Sequence, residues 1–258
     1  MAYARLLARI AALAARRAVK AWPVALAVVL YAVAMAFGAT IFGRLGMAGG
    51  FLLGLLEAAC IASYLQLLAL AVSGGKLSWD DLWRGVPTFL NDVIGVLFVL
   101  WIGGFVARSL SQGAGDHGPF VLAAYGLLIA VFLNPVPEII YQGRSPGMSL
   151  ALVATSFRFV QEHWVEWFVP NLALGFALVA LAFGPRGVEP RDLMVILPSL
   201  FTLEGAYLLG PSLAQGASLW NVPLVLALAH YAMVYRGLLF QELSAGGWRA
   251  HGFRSSWR

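Results

Sequence analysis

The sequence predicts an all-α polytopic transmembrane bundle of six spans. Three observations carry that prediction. Of 258 residues, 61% are apolar and only 11% charged, whereas a soluble domain carries about 25% charged residues. The mean hydropathy is +0.82. Several apolar runs approach 20 residues, the length needed to cross about 30 Å of hydrocarbon. These runs do not alternate every second residue, which excludes a β-barrel.

Residues 1–22 form the first element, a basic amphipathic helix. At about 100° per residue, Arg5, Arg9, Arg16 and Lys20 fall within roughly 60° of one another. Leu6, Leu7, Ile10, Leu13 and the alanines supply the remaining surface. Two readings stand level: a helix on the inner leaflet with its cations at the phosphates, or a cytoplasmic extension of the first span. The apolar run that follows reads as an anchor rather than a cleavable signal, because further spans come directly after it.

The spans are expected at 23–43, 48–73, 89–110, 119–141, 164–184 and 219–240, as one domain over 23–240. A further run, 193–211, contains Pro198, Glu204, Gly205 and Pro211, and is either a seventh span or a broken re-entrant element. Positive charge decides between six and seven. With six spans and both termini inside, 13 of the 17 Lys and Arg residues lie on the inner side and 4 outside; with seven the split is 9 to 8. The positive-inside rule therefore favours six spans in a cell inner (plasma) membrane, with both ends cytoplasmic and a basic tail over 241–258. Trp22, Trp79, Trp83, Trp164, Trp167 and Trp220 fall near span ends, as an aromatic belt requires. Trp101 is the exception, in mid-span.

Two stretches, about 48–110 and 119–184, share an order of events that suggests a parallel repeat. In the first, a span closes at Ser73-Gly74-Gly75-Lys76, and Ser78–Gly85 forms a short cytoplasmic elbow helix before Pro87 and the next span. Ser78 and Asp81 have capping-box spacing. In the second, a span closes at Tyr141-Gln142-Gly143-Arg144, an elbow runs from Ser145 to Glu162, and a span opens at Trp164. The order of span, glycine turn and elbow, together with the closing Tyr235-Arg236-Gly237-Leu238-Leu239-Phe240, resembles bacterial six-span proteins related to the membrane domain of some glycerophosphodiester phosphodiesterases. The resemblance implies a six-helix membrane module without a catalytic site. The hydrolytic activity of those fusions resides in a separate soluble domain, and the 193–211 run departs from their pattern.

Ionisable groups at membrane depth cost about 2.5–3.5 kcal/mol each for Asp, Lys or Arg on insertion scales. Glu57, Glu138, Glu204 and His230 are the candidates for an intramembrane polar cluster. Such a cluster binds a cation, a proton or a charged solute, or else its members pair internally as a structural contact. Pro135 and Pro137 free backbone carbonyls that line a cavity or, the preferred reading, simply mark a kink.

Catalytic motifs are missing. One cysteine, Cys60, leaves no disulfide or multi-cysteine metal site. No zinc pattern, phosphate loop or nucleophile elbow occurs, and His230 alone among the histidines sits at membrane depth. The expectation is therefore no enzyme, no cofactor and no metal. The net charge of +5 points to anionic lipid of the inner leaflet rather than nucleic acid. Gly50 and Gly54 form a Gly-x-x-x-Gly pair suited to close helix approach. The expected function is a non-catalytic membrane subunit that anchors or organises a larger complex, with other membrane subunits or further copies as partners. The alternative is a small-solute or ion permease component using Glu57, Glu204 and His230.

Overall fold

The computed structural model describes residues 2–143, 149–183 and 222–246, all helix and connecting turns. The helices are α1 (Ala2–Lys20), α2 (Pro23–Phe42), α3 (Gly46–Ser73), α4 (Asp81–Gly113), α5 (Gly118–Phe132), α6 (Val136–Tyr141), α7 (Ser149–Phe183) and α8 (Val222–Ser244). Five stretches are long and apolar enough to cross a membrane: Pro23–Ser73, Asp81–Gly113, Gly115–Tyr141, Leu150–Leu181 and Val222–Ser244. The 193–211 run, with Glu204, and most of the 241–258 tail lie outside the described residues.

The 51-residue stretch Pro23–Ser73 is two helices folded back on each other. A short 3-10 turn, Gly43–Leu45, makes the reversal. Gly46 takes φ +57°, which a side-chain-bearing residue rarely adopts. Across the hairpin, Tyr31 hydrogen-bonds Ser63 at 2.8 Å, and Gly38 faces Leu53 and Leu56, so α2 and α3 run antiparallel.

The end of α3 is closed by Gly74 at φ +79°. The Gly75 amide donates to the Leu70 carbonyl at 2.9 Å, the six-to-one bond of a Schellman cap, which satisfies carbonyls the helix leaves open. Asp81 then starts α4. Its carboxylate accepts the Ser78 amide and the Ser78 hydroxyl, each at 2.8 Å, which is the return half of a capping box. The Ser78–Gly85 stretch is not a separate elbow. From Asp81 onward it is the opening of one unbroken 33-residue helix that carries Pro87 inside it. As the seventh residue Pro87 has no amide for the Trp83 carbonyl four positions back, so the helix runs on at the loss of one ladder bond.

In the second unit the helix is broken instead. α7 has non-helical backbone at His163 (φ −132°, ψ 22°), so residues 149–162 and 164–183 meet at a bend. The expected span 119–141 is also divided, because α5 stops at Phe132 and α6 begins at Val136. Pro135 and Pro137 cannot donate to the ladder, so the helix gives way there.

The best-buried core lies where the ends of α3, α6, α7 and α8 converge. Leu65, Leu68, Ile139, Ile140, Leu152, Trp167 and Leu239 are all inaccessible there. A side chain on Gly237 would strike both the Tyr141 hydroxyl and Val72, so glycine allows α8 its close approach to α3 and α6.

The helix α1 lies across this end of the bundle. Ile10, Ala14, Ala18 and Ala21 face inward and are buried, while Arg5, Arg9, Arg16 and Lys20 are exposed. Its first turn is tied to α7 by the Tyr3 hydroxyl, which donates to the Glu166 carbonyl at 3.2 Å. Pro170 explains why that carbonyl needs a donor: four residues on, it has no amide to give. Burial raises the Tyr3 hydroxyl above its ordinary pKa, and the nearby Glu166 adds to the shift.

Candidate functional site

Among the described residues, a four-residue polar clasp joins α6, α7 and α8. Arg236 on α8 is 2% exposed and Glu138 on α6 is 0% exposed. The guanidinium grips the carboxylate with two bonds, Nε to Oε1 at 2.8 Å and Nη2 to Oε2 at 3.1 Å. This fork geometry is available to arginine and not to lysine.

The helix break supplies the next contact. Between α5 and α6 the Asn134 carbonyl lies outside the ladder, and Arg236 Nη2 donates to it at 2.8 Å. The carbonyl freed beside the prolines thus receives a cation rather than lining a cavity. The Asn134 side chain is held in turn, because Trp167 Nε1 donates to its Oδ1 at 2.8 Å. Trp167 is fully buried, and the Arg236 guanidinium carbon stands 5.1 Å from its ring centroid, within cation–π range. Phe159 and Phe240 pack edge to face with the indole, their centroids 5.3 and 6.2 Å away.

The charges are thus paired, hydrogen-bonded and covered by the Trp167 ring, the condition under which an ion pair is tolerated in a low-dielectric interior. The clasp is built for holding three helices together.

The sequence candidates occupy different places. Glu138 is in the clasp. His230 lies on α8, 5% exposed, beside the Ala18 carbonyl of α1, and neither ring nitrogen makes a hydrogen bond of normal geometry. Glu57 is half-buried on α3, and Glu204 lies outside the described residues. Among the described residues, no three His, Cys, Asp or Glu side chains gather as a metal site would require. Arg5, Arg9, Arg16 and Lys20 form the exposed edge of α1.

Arg236, Asn134 and Trp167 did not stand out as site residues in the sequence. Trp167, expected in the aromatic belt, is instead core. A signal for Arg236 did exist: an arginine inside an apolar run, Tyr235 to Phe240, needs a carboxylate at its own depth, and Glu138 closes another span at that depth. Comparison with protein-family models, curated proteins and solved structures finds no match for this chain.

Proposed function

We propose that this chain is a non-catalytic integral membrane subunit, six passes through a bacterial inner membrane with both ends cytoplasmic, that organises a larger membrane assembly. One observation carries the reading. Halfway along α4, Phe98, Trp101 and Phe105 form an outward aromatic stripe, with exposures of 57%, 68% and 64%. Successive rings stack at 6.1 and 6.4 Å. Tryptophan favours the membrane interface, where its N–H finds a partner. At mid-depth in hydrocarbon that N–H is left without one, at a cost of up to several kcal/mol. A helix of another subunit, or of a second copy, seated on the stripe removes the conflict.

The internal consumption of Glu138 and Arg236 supports the same reading, because the best-buried charges serve packing. The six-pass count rests on treating α2 and α3 as separate passes, and the inward ends rest on the arginine distribution. The resemblance to six-span membrane modules agrees with a non-catalytic role. The permease alternative keeps one observation in its favour, the buried imidazole of His230.

Purification of the full chain in mild detergent tests the proposal. Wild type is expected to elute with a stoichiometric membrane partner or as a defined oligomer, and Trp101→Ala is expected to release it while remaining folded. A monodisperse lone monomer from both proteins overturns it.

A further inference from the structure

Where α1 passes into α2, the chain leaves an open apolar cavity of about 270 Å³. Its walls come from the start of α2 (Trp22, Ala27, Leu30), the end of α3 (Leu67) and the turn before α4 (Leu77, Trp79). The volume is close to the lower end of the range for small-ligand sites, about 300–1,000 Å³. Trp22 and Trp79 stand at the cavity with 60% and 78% of their surface exposed, as indoles do at headgroup depth.

Cations adjoin the lining residues along the chain. Lys20 precedes Trp22 by two residues, Lys76 precedes Leu77 by one, and both are exposed. Arg17 joins them, its Nε 3.8 Å from where a side chain on Gly74 would begin. Two carboxylates adjoin the apolar wall in sequence, and one of them, Asp81, is turned inward onto Ser78, with Arg84 at 3.8 Å. The other, Asp80, is exposed beside Trp79, so Lys20, Lys76 and Arg17 outnumber the one outward carboxylate near the wall.

We infer that this cavity is a binding site for one anionic glycerophospholipid, an acyl chain lying along Ala27, Leu30 and Leu67 and the phosphate held by Lys20, Lys76 and Arg17. Basic pockets between helices at the cytoplasmic surface bind such headgroups. The apolar wall selects a chain-bearing ligand, and the adjoining cations select its charge. The inference rests on the membrane placement of the chain and is independent of its role as a subunit.

Native mass spectrometry of the full chain in detergent, with equimolar phosphatidylglycerol and phosphatidylcholine added at low salt, tests it. Wild type is expected to retain one phosphatidylglycerol with roughly tenfold or greater preference. Each cation contributes about fivefold, so Lys20→Gln/Lys76→Gln is expected to lower the preference by roughly 25-fold, leaving only the several-fold bias that Arg17 supplies. Both lysines are exposed, so folding is not at stake. Leu26→Trp, at a half-exposed wall position, is expected to reduce retention of both lipids. Equal retention by wild type, an unchanged preference in the lysine variant, or displacement by millimolar glycerol phosphate would each overturn the assignment.

Discussion

Neutralising Glu138 as Glu138→Gln leaves the Arg236 guanidinium at 2% exposure without its counter-charge. Guanidinium and carboxylate centres about 4 Å apart attract by about 4 kcal/mol at an effective dielectric of 20, and stripping one partner from a buried pair typically costs about 3–5 kcal/mol. Arg236→Gln is expected to cost at least as much, because it also removes the donor to the Asn134 carbonyl and the charge over Trp167. Arg236→Lys keeps the charge but loses the fork, and is expected to fall between wild type and Arg236→Gln. The double variant Glu138→Gln/Arg236→Gln places two neutral amides side by side. It is expected to be less damaged than the sum of the single variants by about 1–3 kcal/mol, the upper range of coupling for contacting residues. Equilibrium unfolding of the four variants by sodium dodecyl sulfate in mixed micelles, followed by near-UV circular dichroism, measures the cycle. Single variants within 1 kcal/mol of wild type, or strictly additive effects, would refute the claim that this pair holds α6 to α8.

Two further outcomes follow from packing. A methyl group at Gly85 would sit 2.6 Å from Gln66 Cβ and 2.7 Å from the Ala62 carbonyl, so Gly85→Ala is expected to push α4 off α3 and cost about 1–3 kcal/mol in the same assay. Ala14 is 0% exposed under α1, so Ala14→Leu is expected to lift α1 from the bundle. The expected readout is faster backbone amide exchange across residues 5–18 with α3 and α8 unchanged; unaltered protection would mean that α1 is held by its arginines and not by its alanine face.

Much of the fold was legible along the chain because its signals are local. A run of 20 apolar residues is a helix in lipid whatever its neighbours, since no other backbone satisfies its own hydrogen bonds there. The 3.6-residue spacing separated the cations of α1 from Ile10, Ala14 and Ala18. The continuity of α4 past Gly85 was not legible, because a capped start with an early proline reads the same whether the helix stops or runs on for 33 residues. Whether Glu57, Glu138, Glu204 and His230 act together was not legible either, since apolar periodicity says which residues are deep and not which of them meet.

The sequence by itself therefore determined the solvent, the helices and the exposed basic edge of α1, because each depends on composition and period within a few turns. Only the tertiary structure decided that Glu138 belongs to Arg236, 98 residues away, that Trp167 is core rather than belt, and that Tyr3 fills the carbonyl freed by Pro170. Those pairings depend on which helices converge, and convergence is set by close approaches at residues such as Gly237 that no single segment reveals.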